Sequence, residues 1–524
     1  MKAHRLAALG CVAAVVLGCG GRTPEPESPA PTVVLMSREE VRQALLPRPA
    51  SLEFEEGEVF LPGLSEETAG GYRWTLTLRP ADPPLESPEA YRLFATPEEG
   101  FVLEATGQPG RLYGMRTFHQ LMAPHEGRPN PVRVPAFHIE DKPAFPWRGF
   151  MLDCSRHFMD KDFIKTLLDS MAYYKMNVFH WHLIDNNGWR MEVNAYPLLT
   201  EKAAWRPKAD GTGLYGGYYS KEDIREIVRH ASGLNIKVIP EIEMPGHNTA
   251  ALYYYPHLTC AGEPFPSGSG GLSHYTAVAG AVPFCAGREE TFEFLETVLL
   301  ETMEMFPSEV IHIGGDERPE GIWSECERCI ARMEEEGLAD EDELQRWFMN
   351  RITDFLAEHD RRAMTWLVSH GDPYNPEGFD DIGNDAILQN WHDTTRLAAS
   401  EGHEVVNSIN TRVYFDYPEF PGMDKPGWMP LLDLEAVYGY MPIPADLDTG
   451  HHHRILGGEA CLWTETVPDE ETAAAHIFPR LFAVADILWY GQEGKDFAEF
   501  ETRVERQRLP LRSAFGFEFG TPPE

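Results

Sequence analysis

Val310-Ile311-His312-Ile313-Gly314-Gly315-Asp316-Glu317 is the stretch on which the fold reading turns. A short apolar run ends in two glycines, and two adjacent carboxyls follow. Paired glycines let the backbone turn tightly at a strand end. Short buried strands with polar chemistry at their carboxyl ends are the hallmark of a parallel α/β barrel. Seven further apolar runs accompany this one: Arg148–Asp153, Asn177–Leu183, Lys237–Glu243, Ala363–Leu367, Ala386–Trp391, Glu404–Ser408 and Ile455–Leu462. Helical patterns lie between or after them, at Asp162–Lys175, Lys221–Ser232, Arg288–Met305, Glu341–His359 and Ala473–Trp489. Eight strands with intervening helices predict a (β/α)₈ TIM barrel.

The fold class is therefore α/β, with the barrel preceded by a small α/β domain. That domain, residues 33–140, carries strand patterns at Tyr72–Leu78, Ala90–Leu93 and Gly100–Ala105, and a helix from Tyr113 through Met122. Residues 141–524 are expected to hold the barrel, a C-terminal helix and a tail.

Barrel active sites gather at the C-terminal ends of the strands. Here each end carries chemistry in turn. Asp153 and Arg156 follow the first strand, His182 and Asp185 the second, and Glu243 and His247 the third. Asp316 and Glu317 follow the fourth, Trp366 the fifth, Trp391 the sixth, Tyr414 and Asp416 the seventh, and Trp463 and Glu465 the eighth. A lone Asp-Glu pair is ordinarily a surface turn; eight polar or aromatic strand ends in register are not. Two adjacent carboxyls raise at least one pKa, which makes a general acid usable near neutral pH. Carboxylates with Trp and Arg, and no phosphate loop, point to a neutral sugar and to glycosidic cleavage.

Composition agrees. The 524 residues hold 45 Lys plus Arg against 83 Asp plus Glu, a net charge of −38. A field of that sign disfavours nucleic acids and anionic lipid surfaces. The chain is 43% apolar and 11% aromatic, too rich for disorder.

The N-terminus reads as an export signal over residues 1–18. Lys2 and Arg5 precede an apolar run, Leu6 to Leu17, too short to span a bilayer. Val16-Leu17-Gly18-Cys19 is similar to a bacterial lipoprotein box, which implies cleavage before Cys19 and acylation of its thiol. Residues 19–32, with four prolines, form a Pro-rich tether. Gly20 gives no Asp-type inner-membrane retention signal, which favours the outer membrane. No later stretch is long and apolar enough to cross a membrane, so the membrane is contacted only through the lipid.

Of the remaining cysteines, Cys154 and Cys461 are expected to be buried thiols. Cys260 and Cys285 flank a loop and can pair in an oxidising compartment. Cys326 and Cys329 form a single C-x-x-C without two further zinc ligands nearby in sequence. No metal and no cofactor is expected.

With these motifs in place, the chain resembles the family 20 glycoside hydrolases, the β-N-acetylhexosaminidases. The resemblance covers roughly residues 33–490. It rests on Leu112–Thr117 with Gln120-Leu121; Arg148-Gly149, Asp153 and Ser155-Arg156-His157; Asn177, His180–Leu183 and Asp185; Glu241–His247; His312–Glu317; and Gly458–Glu465. It implies a retaining mechanism in which the substrate's 2-acetamido oxygen is the nucleophile and an oxazolinium ion is the intermediate. Glu317 would be the acid and then the base. Asp316 would hold the acetamido N–H and Tyr414 its oxygen. Arg156 and Glu465 would bind outer hydroxyls, and Asp416 the O4 or O6 side. Trp366, Trp391 and Trp463 would wall the acetamido pocket, with Trp428 over the leaving group. Asp185 and His247 would orient the acid.

Two departures stand out. Leu367-Val368-Ser369 replaces residues that are more often acidic in the family, and Asp486 stands where it usually has Glu, a change expected to alter a structural contact. The resemblance implies exo removal of terminal GlcNAc or GalNAc from an amino-sugar oligosaccharide or glycoconjugate. The alternatives are endo action on poly-GlcNAc and a catalytically silent glycan-binding lipoprotein.

Overall fold

The computed structural model describes residues 34–60, 76–123, 132–208, 211–263, 282–366, 385–423 and 429–521. The signal, the tether, Trp428 and Leu367-Val368-Ser369 lie outside them.

Eight parallel strands close into a barrel. They run Trp147–Asp153, Val178–His182, Lys237–Met244, Val310–Gly314, Arg362–Trp366, Ile387–Asn390, Glu404–Asn407 and Ile455–Leu462. All eight runs read from the sequence are strands, with ends shifted by a residue or two. Closure is made by the eighth strand against the first, in register from Gly457↔Trp147 to Leu462↔Leu152.

The helix expected over Ala473–Trp489 is two helices, Glu470–Ile477 and Arg480–Tyr490. Pro479 sits at the break. It supplies no N–H for the helical ladder, and its ring disfavours the α conformation at Phe478.

Ahead of the barrel lies a sheet whose path runs Val34–Leu35, Val132–Asp141, Tyr91–Thr96, Gly100–Ala105 and Leu76–Pro80, with Ser51–Phe60 also pairing to Val132–Asp141. Residues 72–75 of the first strand pattern fall outside the described residues. The helix Gln108–Met122 packs Tyr113, Phe118 and Leu121 on this sheet, and Trp489 of the barrel completes the same core. At the seam, the buried Lys175 ammonium lies 2.9 Å from Asp141, which also accepts from Trp489 Nε1. Asp486 is buried and pairs with Arg503 at 2.8 Å, a structural contact as expected.

Inside the barrel sits a buried polar network on the carboxylate of Glu241, on the third strand. Oε2 is hydrogen-bonded to His182 Nδ1 and lies 3.1 Å from His180 Nε2. Oε1 accepts from Trp366 Nε1 at 2.7 Å and lies 3.0 Å from His312 Nδ1. A second buried carboxylate, Glu459 on the eighth strand, meets His180 Nδ1 at 2.7 Å and Trp147 Nε1 at 2.9 Å.

Burial opposes charge on the histidines. Even so, Glu459 and Glu241 lift His180 to about 9, and Glu241 lifts His182 to about 10. A raised histidine pKa adds stability that is complete below its unfolded value near 6.5 and is lost as pH rises through the folded one. The thermal midpoint is therefore expected to fall as pH climbs from about 6.5 towards 9 to 10 and to level off beyond; a midpoint flat across that range would contradict the charged histidines. Glu241→Ala, which removes the carboxylate that both histidines share, should cost about 3–5 kcal/mol in denaturant unfolding.

Candidate active site

The fourth strand delivers its carboxyls through strained backbone. Gly314 (φ 64°) and Gly315 (φ 109°) both sit at positive φ. A Cβ on Gly314 would lie 1.9 Å from Glu243 Oε2, so only glycine lets the third and fourth strand ends approach. Glu317 (φ 45°) and His247 (φ 51°) are left-handed without being glycine. Such conformations cost energy and cluster where geometry serves function.

His247 Nε2 stands 3.5 Å from Glu317 and 3.7 Å from Asp316. Its Nδ1 lies 3.2 Å from Asp185 Oδ1. Asp185 Oδ2 is 3.1 Å from His182 Nε2 and 2.7 Å from the Arg156 guanidinium. A continuous chain thus runs from Glu241 in the barrel centre through His182, Asp185 and His247 to Glu317 at the cleft.

The electrostatics follow from this chain. Burial opposes charge on Asp185, yet Arg156 and then His247 hold its carboxyl well below the usual range. Burial likewise opposes charge on His247, but Asp185 and Asp316 carry it well above neutrality, making it an imidazolium. In the carboxyl pair the raised member is Asp316, pushed up to about 6 by burial, with Glu317 and Glu241 adding to it. Glu317 is lowered by the His247 ring 3.5 Å away. Adjacency alone pointed to a raised carboxyl in the pair; burial places it on Asp316, because the Glu317 side chain is 51% exposed.

A cavity of about 380 Å³ opens at the strand ends. Arg156, His247, Asp316, Glu317, Trp366, Trp391, Tyr414, Asp416, Trp463 and Glu465 line it, all of them singled out in the sequence. Trp366 and Trp463 have ring centroids 5.8 Å apart with their planes tilted by 42°, and Tyr414 meets Trp463 edge-on at 6.1 Å. Arg156 lies over the Trp463 ring at 4.9 Å and 3.5 Å from Glu465. Burial holds the Tyr414 phenol well above its ordinary range, so it remains a donor. Burial, with Glu465, raises Asp416 well above the usual carboxylate range. Oδ1 of Asp316 and Oδ1 of Asp416 are buried without a hydrogen-bond partner among the described residues.

Asp185 stands behind the cavity, touching His247. Sequence reasoning missed Asn410, Tyr417 and Met429, which complete the lining. Tyr417 was within reach as the residue after Asp416, and Asn410 as the third residue past the seventh strand; Met429 lies farther along that connection and gave no signal.

Two buried trios, His180/Glu241/His312 and His182/Glu241/Glu243, are close enough to share a cation. Both depend on Glu241, whose oxygens already serve Trp366 and the histidines. In the second, burial and then Asp316 push Glu243 well above the carboxylate range, into its neutral form.

The cysteines correct the sequence reading more sharply. Cys260 and Cys285 are not an isolated pair. Cys285 Sγ lies 3.6 Å from Cys329 and 3.9 Å from Cys326, and Cys260 Sγ lies 3.7 Å from Cys329. Folding brings two further cysteines beside Cys326 and Cys329, from 41 to 69 residues away. Cys154 and Cys461 are buried thiols, as expected.

Comparison with known proteins agrees with the geometry. Residues 145–492 match the family model "Glycosyl hydrolase family 20, catalytic domain", and residues 61–142 match domain 2 of the same family. A beta-hexosaminidase of Porphyromonas gingivalis is 36% identical over 79% of this chain; the match spans 54% of that longer relative. A beta-hexosaminidase of Akkermansia muciniphila is 32% identical over 83% of this chain and 86% of its own length. The crystal structure of an exo beta-N-acetylglucosaminidase from Vibrio harveyi in complex with N-acetylglucosamine superposes with a TM-score of 0.78 at 28% identity, covering 96% of this chain and 81% of that one. A closed barrel with the Asp316-Glu317 pair at its rim, preceded by the matching second domain, leaves one assignment: the chain belongs to glycosyl hydrolase family 20 and is a glycoside hydrolase of the β-N-acetylhexosaminidase class.

Proposed function

We propose that this protein removes terminal β-linked GlcNAc or GalNAc from the non-reducing end of neutral amino-sugar chains, with the substrate's acetamido group as nucleophile. The observation that carries this reading is the carboxyl pair beside His247 in one cavity. Asp316 has an unpartnered buried oxygen inside an aromatic cavity, and Glu317 stands half-exposed at its edge. At about 380 Å³ the cavity is at the small end for a ligand site, as suits a single terminal sugar.

The steps follow from placement. Trp366, Trp391 and Trp463 pack on the sugar and its acetamido methyl. Arg156, Asp416 and Glu465 take the outer hydroxyls. Glu317 gives its proton to the glycosidic oxygen as the C1–O bond breaks, and the acetamido oxygen bonds to C1. Anionic Asp316 holds the N–H as positive charge develops on the oxazolinium ring, and Tyr414 donates to the acetamido oxygen. Water then attacks C1, Glu317 accepts its proton, and the ring reopens to the sugar with retained configuration. A bound sugar covers Glu317, and burial raises a carboxyl pKa, so substrate itself prepares the acid. Holding the acetamido group at C1 turns an intermolecular attack into an intramolecular one. Asp185 and His247 position this pair.

We further propose that Cys19 is acylated and anchors the exported protein to a bacterial membrane, favouring the outer one. The support is the Val16-Leu17-Gly18-Cys19 box and the Pro-rich tether after it.

Glu317→Gln should lower kcat/KM on chito-oligosaccharides by about 10²–10⁴-fold, with a smaller loss on 4-nitrophenyl glycosides, whose leaving group needs less protonation. Equal activity of variant and parent on both would remove Glu317 from the acid role. If anionic Asp316 is required, kcat/KM falls as pH drops through about 6, and Asp316→Asn is slow without that acid limb. A thiazoline mimic of the oxazolinium should inhibit tightly, whereas rapid hydrolysis of the matching β-glucoside, which lacks the acetamido group, would rule out substrate assistance. Cys19→Ala should move the protein from the membrane fraction to the soluble one; wild-type chain that never incorporates labelled palmitate would end the anchor proposal.

A further inference from the structure

The four cysteines of the third- and fourth-strand loops form a feature the glycosidase chemistry does not use. Their sulfurs all lie within 4.8 Å of one another. Three of the pairs stand at 3.6, 3.7 and 3.9 Å. A tetrahedral Zn²⁺ thiolate site has Zn–S bonds of about 2.3 Å, which places its sulfurs about 3.8 Å apart. A disulfide needs about 2.05 Å. Cys285 and Cys329 are wholly buried and Cys326 nearly so.

The backbone is shaped around the cluster. An antiparallel bridge, Thr259↔Phe284, brings Cys260 and Cys285 together from the two ends of the intervening loop. Cys326 and Cys329 form a C-x-x-C turn at the start of the helix Glu327–Glu336. A helix N-terminus favours thiolate. A Cβ on Gly287 would lie 2.3 Å from the carbonyl carbon of Arg328 and 2.6 Å from the amide nitrogen of Cys329, so glycine lets the two segments close. Arg328 reaches across to the Cys260 carbonyl at 2.8 Å.

We propose that Cys260, Cys285, Cys326 and Cys329 hold a structural Zn²⁺ ion that clamps the loop after the third strand to the loop after the fourth. The site is closed: four protein sulfurs fill a tetrahedron and leave no position for water, which separates it from a catalytic zinc. Binding releases the thiol protons and involves no change of oxidation state. The clamp also bears on the active site. Phe284, next to Cys285, donates its N–H to the Pro245 carbonyl at 2.9 Å, two residues before His247. Its carbonyl accepts from Trp323 Nε1 at 2.9 Å, and Arg318, the residue after Glu317, lies over that indole at 4.9 Å. The ion would thus fix the loops that carry the imidazolium and the carboxyl pair without touching either.

The test is elemental analysis of the full-length protein, expressed with added zinc and dialysed, together with thiol titration and intact mass. One zinc per chain, lost in Cys326→Ser/Cys329→Ser and kept in Cys461→Ala, is the expected result. A poorly folding variant is bypassed by cobalt exchange in the wild-type protein, which should give thiolate-to-cobalt charge-transfer bands and the visible bands of a tetrahedral site. Removal of the zinc should lower the thermal midpoint. Metal-free protein with four free thiols, a mass short of thiol hydrogens from disulfides, or iron in place of zinc would each overturn the proposal. None of these outcomes bears on the glycosidase reading, which rests on other residues.

Discussion

An ionised carboxylate in the middle of a barrel has no solvent to share its charge with. Glu241 is tolerated there because side chains of the second, fourth and fifth strands converge on it: His180 and His182, His312, and the indole N–H of Trp366. Stranding either partner class leaves a buried charge uncompensated. The consequence is geometric. Four neighbouring strands must keep the register that brings those atoms together, and that register aligns their carboxyl ends.

From this centre the charge order propagates outward. His182 passes it to Asp185, Asp185 to His247, and His247 to the carboxyl pair. Each link is a charged or hydrogen-bonded contact in a region of low dielectric, where such contacts are strong and their disruption costly. Arg156 closes the loop from the first strand, touching Asp153, Asp185 and Glu465 at once. Glu241, His182 and Asp185 thus support the cleft from behind, without lining it.

The barrel was legible because its strands are buried on both faces and read as apolar runs broken by helices, a pattern that needs no long-range information. The cavity was legible for the same reason, since strand ends are found once strands are. What escaped has a common cause. The Glu241 and Glu459 networks join residues 59 to 312 apart in the chain, and the cysteine cluster joins loops from two barrel units. No local pattern announces such partners. The break at Pro479 was local and readable, but the apolar run around it masked the stop. The strand Ser51–Phe60 was missed because its alternation is largely acidic, and its pairing is fixed by Val132–Asp141 far along the chain. Which of two adjacent carboxyls is raised is likewise a matter of tertiary burial, invisible in Asp316-Glu317 as text.

The seam between the leading sheet and the barrel has a bearing on ancestry and engineering. Trp489, the penultimate residue of the last barrel helix, is counted among the core of the sheet, and a buried Lys175 faces an Asp141 supplied by that sheet. Neither half owns a complete interior. Shuffling the barrel onto another leader would leave an ammonium without its counter-ion and an indole without its pocket, so recombination between relatives should succeed only when the two pieces are inherited together.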